Sequence, residues 1–392
     1  MHLRSSLALL VPFVVAVERS AAQELLLKAR RIVVAADAVL TDGALLVQQG
    51  KVVWVGTDIP ADARSRAKAI DYGEATIVPG FVLAETTLDQ DADLAEGALA
   101  FTPDLRAAEA FDPWDERLLA LPALGITSCA FSPSPRNVAG GIAAFVKPGK
   151  DRGAIAAAEL HLSLSLTGAA RNPERQPTSL MGAMDLLRTT FTAARTGTRT
   201  GPDAAVMHQV LQGSRPVFVH ADTWAEINAA LDLSRDFGFA VVLVGAREAG
   251  KALPRIVQQK ASVVLDTLVP EGRLEPLRLP ARLAEAGVPF CFAGQPEKLR
   301  LSAALAVRNG LDRRTALQAL TRMPALLLDQ QQVVGSLRQG SAADFVVFTG
   351  DPLDLDAAHV ATWVDGVRIA GTDPAPKPAA SAASATVAGD RR

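Results

Sequence analysis

Apolar and polar positions change rhythm twice along the chain. From Glu24 to about Val78, apolar and β-branched runs at Leu25 to Ala35, Ala44 to Gln48 and Val52 to Val55 are broken by Asp42-Gly43 and Gln49-Gly50. That pattern predicts strands joined by tight hairpin turns. The same texture returns at Asp344 to Phe348, at the turn Gly350-Asp351-Pro352, and at Ala361 to Val364 before the turn Asp365-Gly366. The simplest packing joins the two ends of the chain into one small sheet unit.

Between them the alternation is slower. Short apolar runs at Phe81–Ala84, Ile126–Phe131, Ile142–Val146, Leu160–Leu166, Val217–Val219, Ala240–Val244, Val263–Leu265 and Phe290–Ala293 are strand candidates. Helical spacing follows several of them. Ala225 to Phe237 places Ile227, Ala230, Leu231 and Leu233 on one stripe, and Leu299 to Asn309 and Arg314 to Leu320 obey the same rule. Eight strand–helix units in about 250 residues fit an α/β architecture, a (β/α)8 TIM-type barrel. The expected organisation is a composite β-sandwich from 23–78 plus 331–370 around a barrel at 79–330.

The ends read differently. Arg4, the 11-residue apolar run Leu7 to Val17 and the small residues Ser20-Ala21-Ala22 make 1–22 a secretory signal, too short to span a bilayer as a helix. Export to the periplasm or the extracellular space is therefore expected, with no stable membrane insertion after cleavage. Residues 371–392 are Pro/Ala/Ser-rich and read as a disordered tail. The 392 residues carry a net charge of −2, which excludes a global basic field for nucleic acid. Cys129 and Cys291 are too few for a disulfide scaffold and read as buried free thiols.

Three segments carry a family resemblance. Ile77-Val78-Pro79-Gly80-Phe81-Val82 resembles the opening of the first barrel strand in the amidohydrolase superfamily. Gly43 to Gly56 resembles its N-terminal sandwich hairpin, and Gly335 to Phe348 its return into the sandwich. Leu105-Arg106-Ala107, Gly125-Ile126-Thr127-Ser128 and Asn137 to Gly141 are similar to segments of the imidazolonepropionase-like group. The resemblance implies a metal-centred barrel hydrolase of C–N bonds other than peptide bonds. In such a site imidazole and carboxylate ligands hold a Zn²⁺-like ion, which lowers the pKa of bound water from 15.7 to about 7.

The sequence departs from that pattern at the ligands. Glu85-Thr86-Thr87 stands where the family has a His-x-His pair, and no Lys occurs between Lys150 and Lys251 to bridge the metals. Gly245 replaces the strand-six His, Gln295 the strand-eight Asp, and only His220 matches a family ligand position. One imidazole cannot hold a hydrolytic metal, because a catalytic zinc site normally has three protein ligands. No cofactor is therefore expected, with zinc or another divalent ion as the minority alternative through Glu85, Asp222 or Glu248.

His220 ends a strand, so a barrel places it at the C-terminal mouth, where it is either functional or simply hydrogen-bonded to a neighbour such as Asp222. Glu85 at the top of the first strand is an acid/base group, a binder of cations or a solvated carboxylate. Thr87 and Gln295 suit recognition of a polar ligand. His161 points into either the core or the mouth. His208 is expected on a helix, and His359 has no assigned role. Ser65-Arg66-Ala67-Lys68 matches Ser-x-x-Lys but lacks companion motifs.

Two functional classes follow. The one that the joint loss of five ligand positions favours is a pseudo-enzyme, a non-catalytic small-molecule binder or homo-oligomeric scaffold. The other is a divergent C–N hydrolase using Glu85, His220 and Asp222. An open mouth pocket with converging polar groups favours the second, and a pocket filled by apolar side chains favours the scaffold.

Overall fold

The computed structural model describes residues 24–372 except 271 and 273. The expected signal segment at 1–22 lies outside the described residues, as does most of the expected tail, whose first two positions, 371 and 372, are described. Eighteen strands occur in order among the described residues. They are β1 Leu25–Ala35, β2 Ala38–Gln48, β3 Lys51–Gly56, β4 Lys68–Asp71, β5 Thr76–Pro79, β6 Phe81–Thr86, β7 Ile126–Phe131, β8 Ala139–Ile142 and β9 Ala144–Lys147. After these come β10 Ala154–Ala157, β11 Leu162–Ser165, β12 Val217–Ala221, β13 Val241–Gly245, β14 Ser262–Leu265, β15 Phe290–Phe292, β16 Phe345–Phe348, β17 His359–Val364 and β18 Val367–Gly371.

The two ends of the chain share one eight-stranded sheet in the order β18-β17-β16-β5-β1-β2-β3, with β4 beside β1. The join is the antiparallel pair β16–β5, where Phe345 faces Pro79 and Phe348 faces Thr76. Gln49-Gly50 and Asp365-Gly366 turn as the sequence suggests. All four residues take positive φ, as a two-residue hairpin with the right-handed strand twist requires. A Cβ on Gly50 would lie 2.8 Å from the Asp365 carbonyl oxygen, so these turns from opposite ends of the chain touch. Asp42-Gly43 differs from expectation. It lies inside β2, where Asp42 at φ 52° meets Arg30 in an ion pair, and the chain reverses instead between Ala35 and Ala38.

The middle forms two sheets, β10-β9-β7-β6 and β15-β14-β13-β12-β11-β8. From β11 to β15 every neighbour pair is parallel, and long apolar runs fit strands buried on both faces. Helices Leu180–Arg195, Pro202–Leu211, Trp224–Phe237, Ala249–Gln258 and Glu275–Glu285 supply the crossovers, and β15 lies against β6. The third strand position departs from eight parallel units. β8 runs antiparallel to β11, and β9 antiparallel to β7. The physical reason is the connection: between β7 and β9 lie only Ser132 to Ala143, with β8 and no helix among them, so no helical crossover brings the chain back parallel to β7. Phe81 stacks on Phe348 at 5.9 Å, so the first strand of this region packs on the terminal sheet. Among the described residues no helix is long and apolar enough to cross a membrane.

Candidate functional site

Glu85 is the fifth residue of β6, a strand buried throughout except at Thr86. The backbone N–H of Ser132, just past β7, donates to the Thr86 carbonyl at 2.9 Å. This tie fixes the strand end and brings the Ser132 hydroxyl to Glu85, where it donates to Oε2 at 2.8 Å. His220 is the fourth residue of β12. Beyond it Thr223 caps the helix Trp224–Phe237 in a reciprocal capping box with Glu226. Glu226 Oε2 also accepts the N–H groups of Asp222 and Thr223 at 3.0 Å each, while Arg171 holds its other oxygen at 2.6 Å. The strand end that carries His220 is therefore fixed by a buried carboxylate.

Glu85, His161 and His220 converge. His220 Nε2 lies 3.2 Å from Glu85 Oε1, and His161 Nε2 lies 3.5 Å from Glu85 Oε2. The imidazoles approach the carboxylate at ion-pair distance but not in line for hydrogen bonds, and the His161 ring has no aligned partner on either nitrogen. His161 stands just before β11 and stacks on Phe218 of β12, with ring centroids 3.7 Å apart. Its backbone carbonyl accepts from Ala143, the single residue between β8 and β9.

Burial alone would push the Glu85 carboxyl up; the imidazoles of His161 and His220 outweigh it and bring it down to about 2. Glu85 is thus a buried, ionised carboxylate. Burial, with the charges of His220 and Arg215 nearby, outweighs the pull of Glu85 and lowers His161 from its ordinary value. His161 is therefore a neutral imidazole against the anion.

Above this cluster opens a cavity of about 890 Å³ lined by Glu85, Thr87, His220, Asp222, Gln295 and their neighbours. All five ligand candidates from the sequence face one space. Asp222 is not the hydrogen-bond partner of His220, since its carboxylate accepts from Arg247 at 2.8 Å. Glu248 lies apart from the cluster. It accepts from the Trp224 N–H at 2.7 Å and pairs with Lys251, beside a separate surface cleft. His161 and Ser132 were not singled out for the site. His161 lies within the Leu160–Leu166 run, whose pattern leaves its facing open, and Ser132 follows β7 with no motif around it.

His208 lies on the helix Pro202–Leu211, where Nε2 meets the Ala194 carbonyl, and His359 on β17 bonds Thr362. Cys129 and Cys291 are free and buried on β7 and β15.

Among the described residues no group of three or more His, Cys, Asp or Glu side chains is arranged to hold an ion. The two imidazoles face one carboxylate that Ser132 already hydrogen-bonds, and Thr86, Thr87, Gly245 and Gln295 offer no replacement imidazole or carboxylate ligand.

Comparison with known proteins agrees with this architecture. Residues 297–370 match the amidohydrolase family model. The chain is 23% identical over 391 aligned positions to the amidohydrolase tasK of Hapsidospora irregularis, covering 83% of this chain and 39% of that protein. This chain thus spans well under half the length of that relative. An amidohydrolase of Thermotoga maritima superposes with a TM-score of 0.80 at 24% identity, covering 89% of this chain and all of the other. Aspergillus niger ochratoxinase superposes with a TM-score of 0.55 at 17% identity, over 90% of this chain and 96% of that one. The fold is that of amidohydrolase structures, and the C-terminal segment carries an amidohydrolase family match.

Proposed function

We propose that this chain is a divergent amidohydrolase-superfamily hydrolase that cleaves a non-peptide C–N bond, in an amide or cyclic amide, at the mouth cavity. One observation carries the reading. Glu85 on β6 and His220 on β12 meet on the floor of a large open cavity, with His161, just before β11, buried against the same carboxylate behind them. Burying ionisable groups costs several kcal/mol each before pairing offsets it. A scaffold gains nothing from keeping such a cluster beneath an open cavity, whereas a reactive site does.

In this reading the carboxylate of Glu85 orients and polarises His220. His220 takes a proton from the water that attacks the carbonyl carbon, and passes it to the leaving nitrogen as the C–N bond breaks. Thr87 and Gln295 offer hydrogen bonds to the polar substrate. No step runs through a metal.

A second reading, a non-catalytic binder at the same cavity or a homo-oligomeric scaffold, is favoured by Thr87, Gly245 and Gln295 standing at ligand positions of the superfamily. We also propose that β6 to β15 close into a (β/α)8-type barrel with a reversed third strand, which the packing of β15 on β6 supports. Export is proposed from the pattern at 1–22.

The test is hydrolysis of a panel of lactams, hydantoins and acyl-amino acids by the full chain, alongside elemental analysis of protein purified without chelator. Turnover unaffected by chelator and reduced about 10²–10⁴-fold in His220→Ala supports the hydrolase. Saturable binding with no turnover supports the binder. Near one metal per chain, with turnover lost on chelation, overturns the metal-free mechanism.

A further inference from the structure

A second cavity, of about 220 Å³, lies where the helix Leu299–Arg308 meets the terminal sheet, and its walls include Arg300, Leu301, Phe348, Leu355 and His359. It adjoins the mouth cavity, with Leu124, Pro296 and Glu297 in both walls, and the proposed reaction does not use it.

Arg300 stands half-buried in this wall without a counter-ion. Its Nη2 donates to the Asp354 and Ala357 carbonyls at 3.0 Å each, and its buried Nε has no partner. Among the described residues no carboxylate lies at ion-pair distance of its guanidinium. The nearby acids are already taken. Arg313 holds Asp351 at 3.1 Å and Asp354 at 2.8 Å, and Arg31 meets Asp351 at 3.2 Å. Burial lowers Arg300 from its ordinary value with nothing to offset it. The guanidinium lies over the Phe348 ring, 4.7 Å from its centroid, which replaces only part of the lost hydration. An anion brought by a ligand would offset the rest.

The remaining wall asks for an apolar partner. Leu124 and Leu301 line it, and Leu355 is 56% exposed beside the cavity, a large apolar side chain that nothing in the chain covers. His359 adds no charge, because burial and the nearby Arg300 lower its imidazole from the ordinary value. Glu297 is exposed and lies beyond ion-pair distance of Arg300.

We propose that this second cavity binds a small amphipathic carboxylate, an aromatic or short-chain organic acid. The carboxylate meets Arg300, and the apolar body lies against Leu301 and Leu355. The space is sufficient for one ring, since an apolar cavity of about 150 Å³ already takes benzene.

The test is titration calorimetry of the full chain with benzoate, benzyl alcohol, benzylammonium and acetate. One unit charge about 6 Å from another at an effective dielectric constant near 40 predicts benzoate binding about tenfold tighter than benzyl alcohol, with benzylammonium weakest. Acetate should bind more weakly than benzoate, by about fourfold for each methylene-sized group no longer buried. Arg300→Gln should remove the preference for benzoate over benzyl alcohol. Leu355→Ser should weaken both about fourfold or more with the melting temperature unchanged. His220→Ala, in the mouth cavity, should leave benzoate binding as it was.

Benzoate bound no tighter than benzyl alcohol, benzoate binding lost in His220→Ala and kept in Leu355→Ser, or no binding of benzoate overturns the proposal. Where Arg300→Gln fails to fold, the benzoate preference of the wild type and the response of Leu355→Ser decide. Turnover plays no part in this test, so its failure leaves the hydrolase reading as it stands.

Discussion

Replacing Lys147 by methionine tests how the two parts of the molecule are fastened. Lys147 ends β9, is 7% exposed, and places Nζ 2.8 Å from Asp344 and 2.7 Å from Asp365. Asp344 immediately precedes β16 and is 3% exposed, and Asp365 forms the β17–β18 turn. The amine thus ties the central sheets to the terminal sheet. Methionine keeps the apolar stem and removes the charge, leaving the Asp344 carboxylate buried beside no cation.

Breaking a buried pair in this way costs about 3–5 kcal/mol, because the desolvation of the remaining charge is no longer offset. With an unfolding entropy of about 2.1 cal/mol/K per residue over roughly 350 residues, that loss lowers the melting temperature by about 4–7 °C.

The pH dependence is a second readout. Burial raises the Asp344 carboxyl above its ordinary value even with Lys147 present, and losing the lysine raises it further. A raised folded-state carboxyl binds its proton more tightly in the native state. Stability therefore falls as pH rises through the window above the unfolded Asp value. Lys147→Met should accordingly recover part of its deficit when thermal unfolding is followed from pH 8 down to pH 5. Adding Asp344→Asn should restore most of it at pH 8. A loss below about 1 kcal/mol, as for an exposed ion pair, or no rescue by the double variant would refute the reasoning.

The remaining predictions concern the site and its supports. Glu85 is depressed from 4.5 to about 2 and so contributes stability above pH 4.5 that is lost as pH falls towards 2, about 3 kcal/mol in all. Urea unfolding of Glu85→Gln should lack that acid limb, and an unchanged limb would show that the carboxylate is not held by the imidazoles. Gly80→Ala places a Cβ 2.1 Å from Thr127 Oγ1 and 2.3 Å from its methyl, so overpacking should cost about 1–3 kcal/mol or more by thermal melting. Burial pushes the Cys129 thiol up to about 12 and raises Cys291 also. Neither thiol should react with Ellman's reagent in native protein at pH 8, and both should react in guanidinium chloride.

The strand pattern was largely legible because burial on both faces leaves uninterrupted apolar runs. Ile126–Phe131 is β7 residue for residue, and six of the other runs each contain or overlap one strand, while Ile142–Val146, read as one strand, straddles the end of β8 and most of β9 in different sheets. Turns with two positive-φ residues were legible for the same local reason. The reversed third strand was not, because direction is set by the connection rather than by the run itself. Ile142 to Val146 carries the same apolar signal whichever way it points. Asp42-Gly43 misled for a related reason: a positive φ bends a strand as readily as it ends one.

The candidate site shows where local reading stops. His220 was found through its strand end and Glu85 through its place after Pro79-Gly80-Phe81, but their contact spans 135 positions, and no periodicity encodes it. His161 illustrates the point more sharply. A histidine within an apolar run is equally compatible with core packing and with a site, and here it packs in the core while facing the cluster carboxylate. It stacks on Phe218 while setting its ring against Glu85.

The stack suggests why the cluster holds together. The aromatic face is a dry wall that keeps His161 neutral, so one neutral imidazole shields the anion on the inner side. His220 alone of the two imidazoles lines the cavity and is the one a ligand there meets. The division of labour follows from burial. In the proposed reaction the inner imidazole is positional because it is buried away from the cavity, and the outer one is chemical because it lines the cavity.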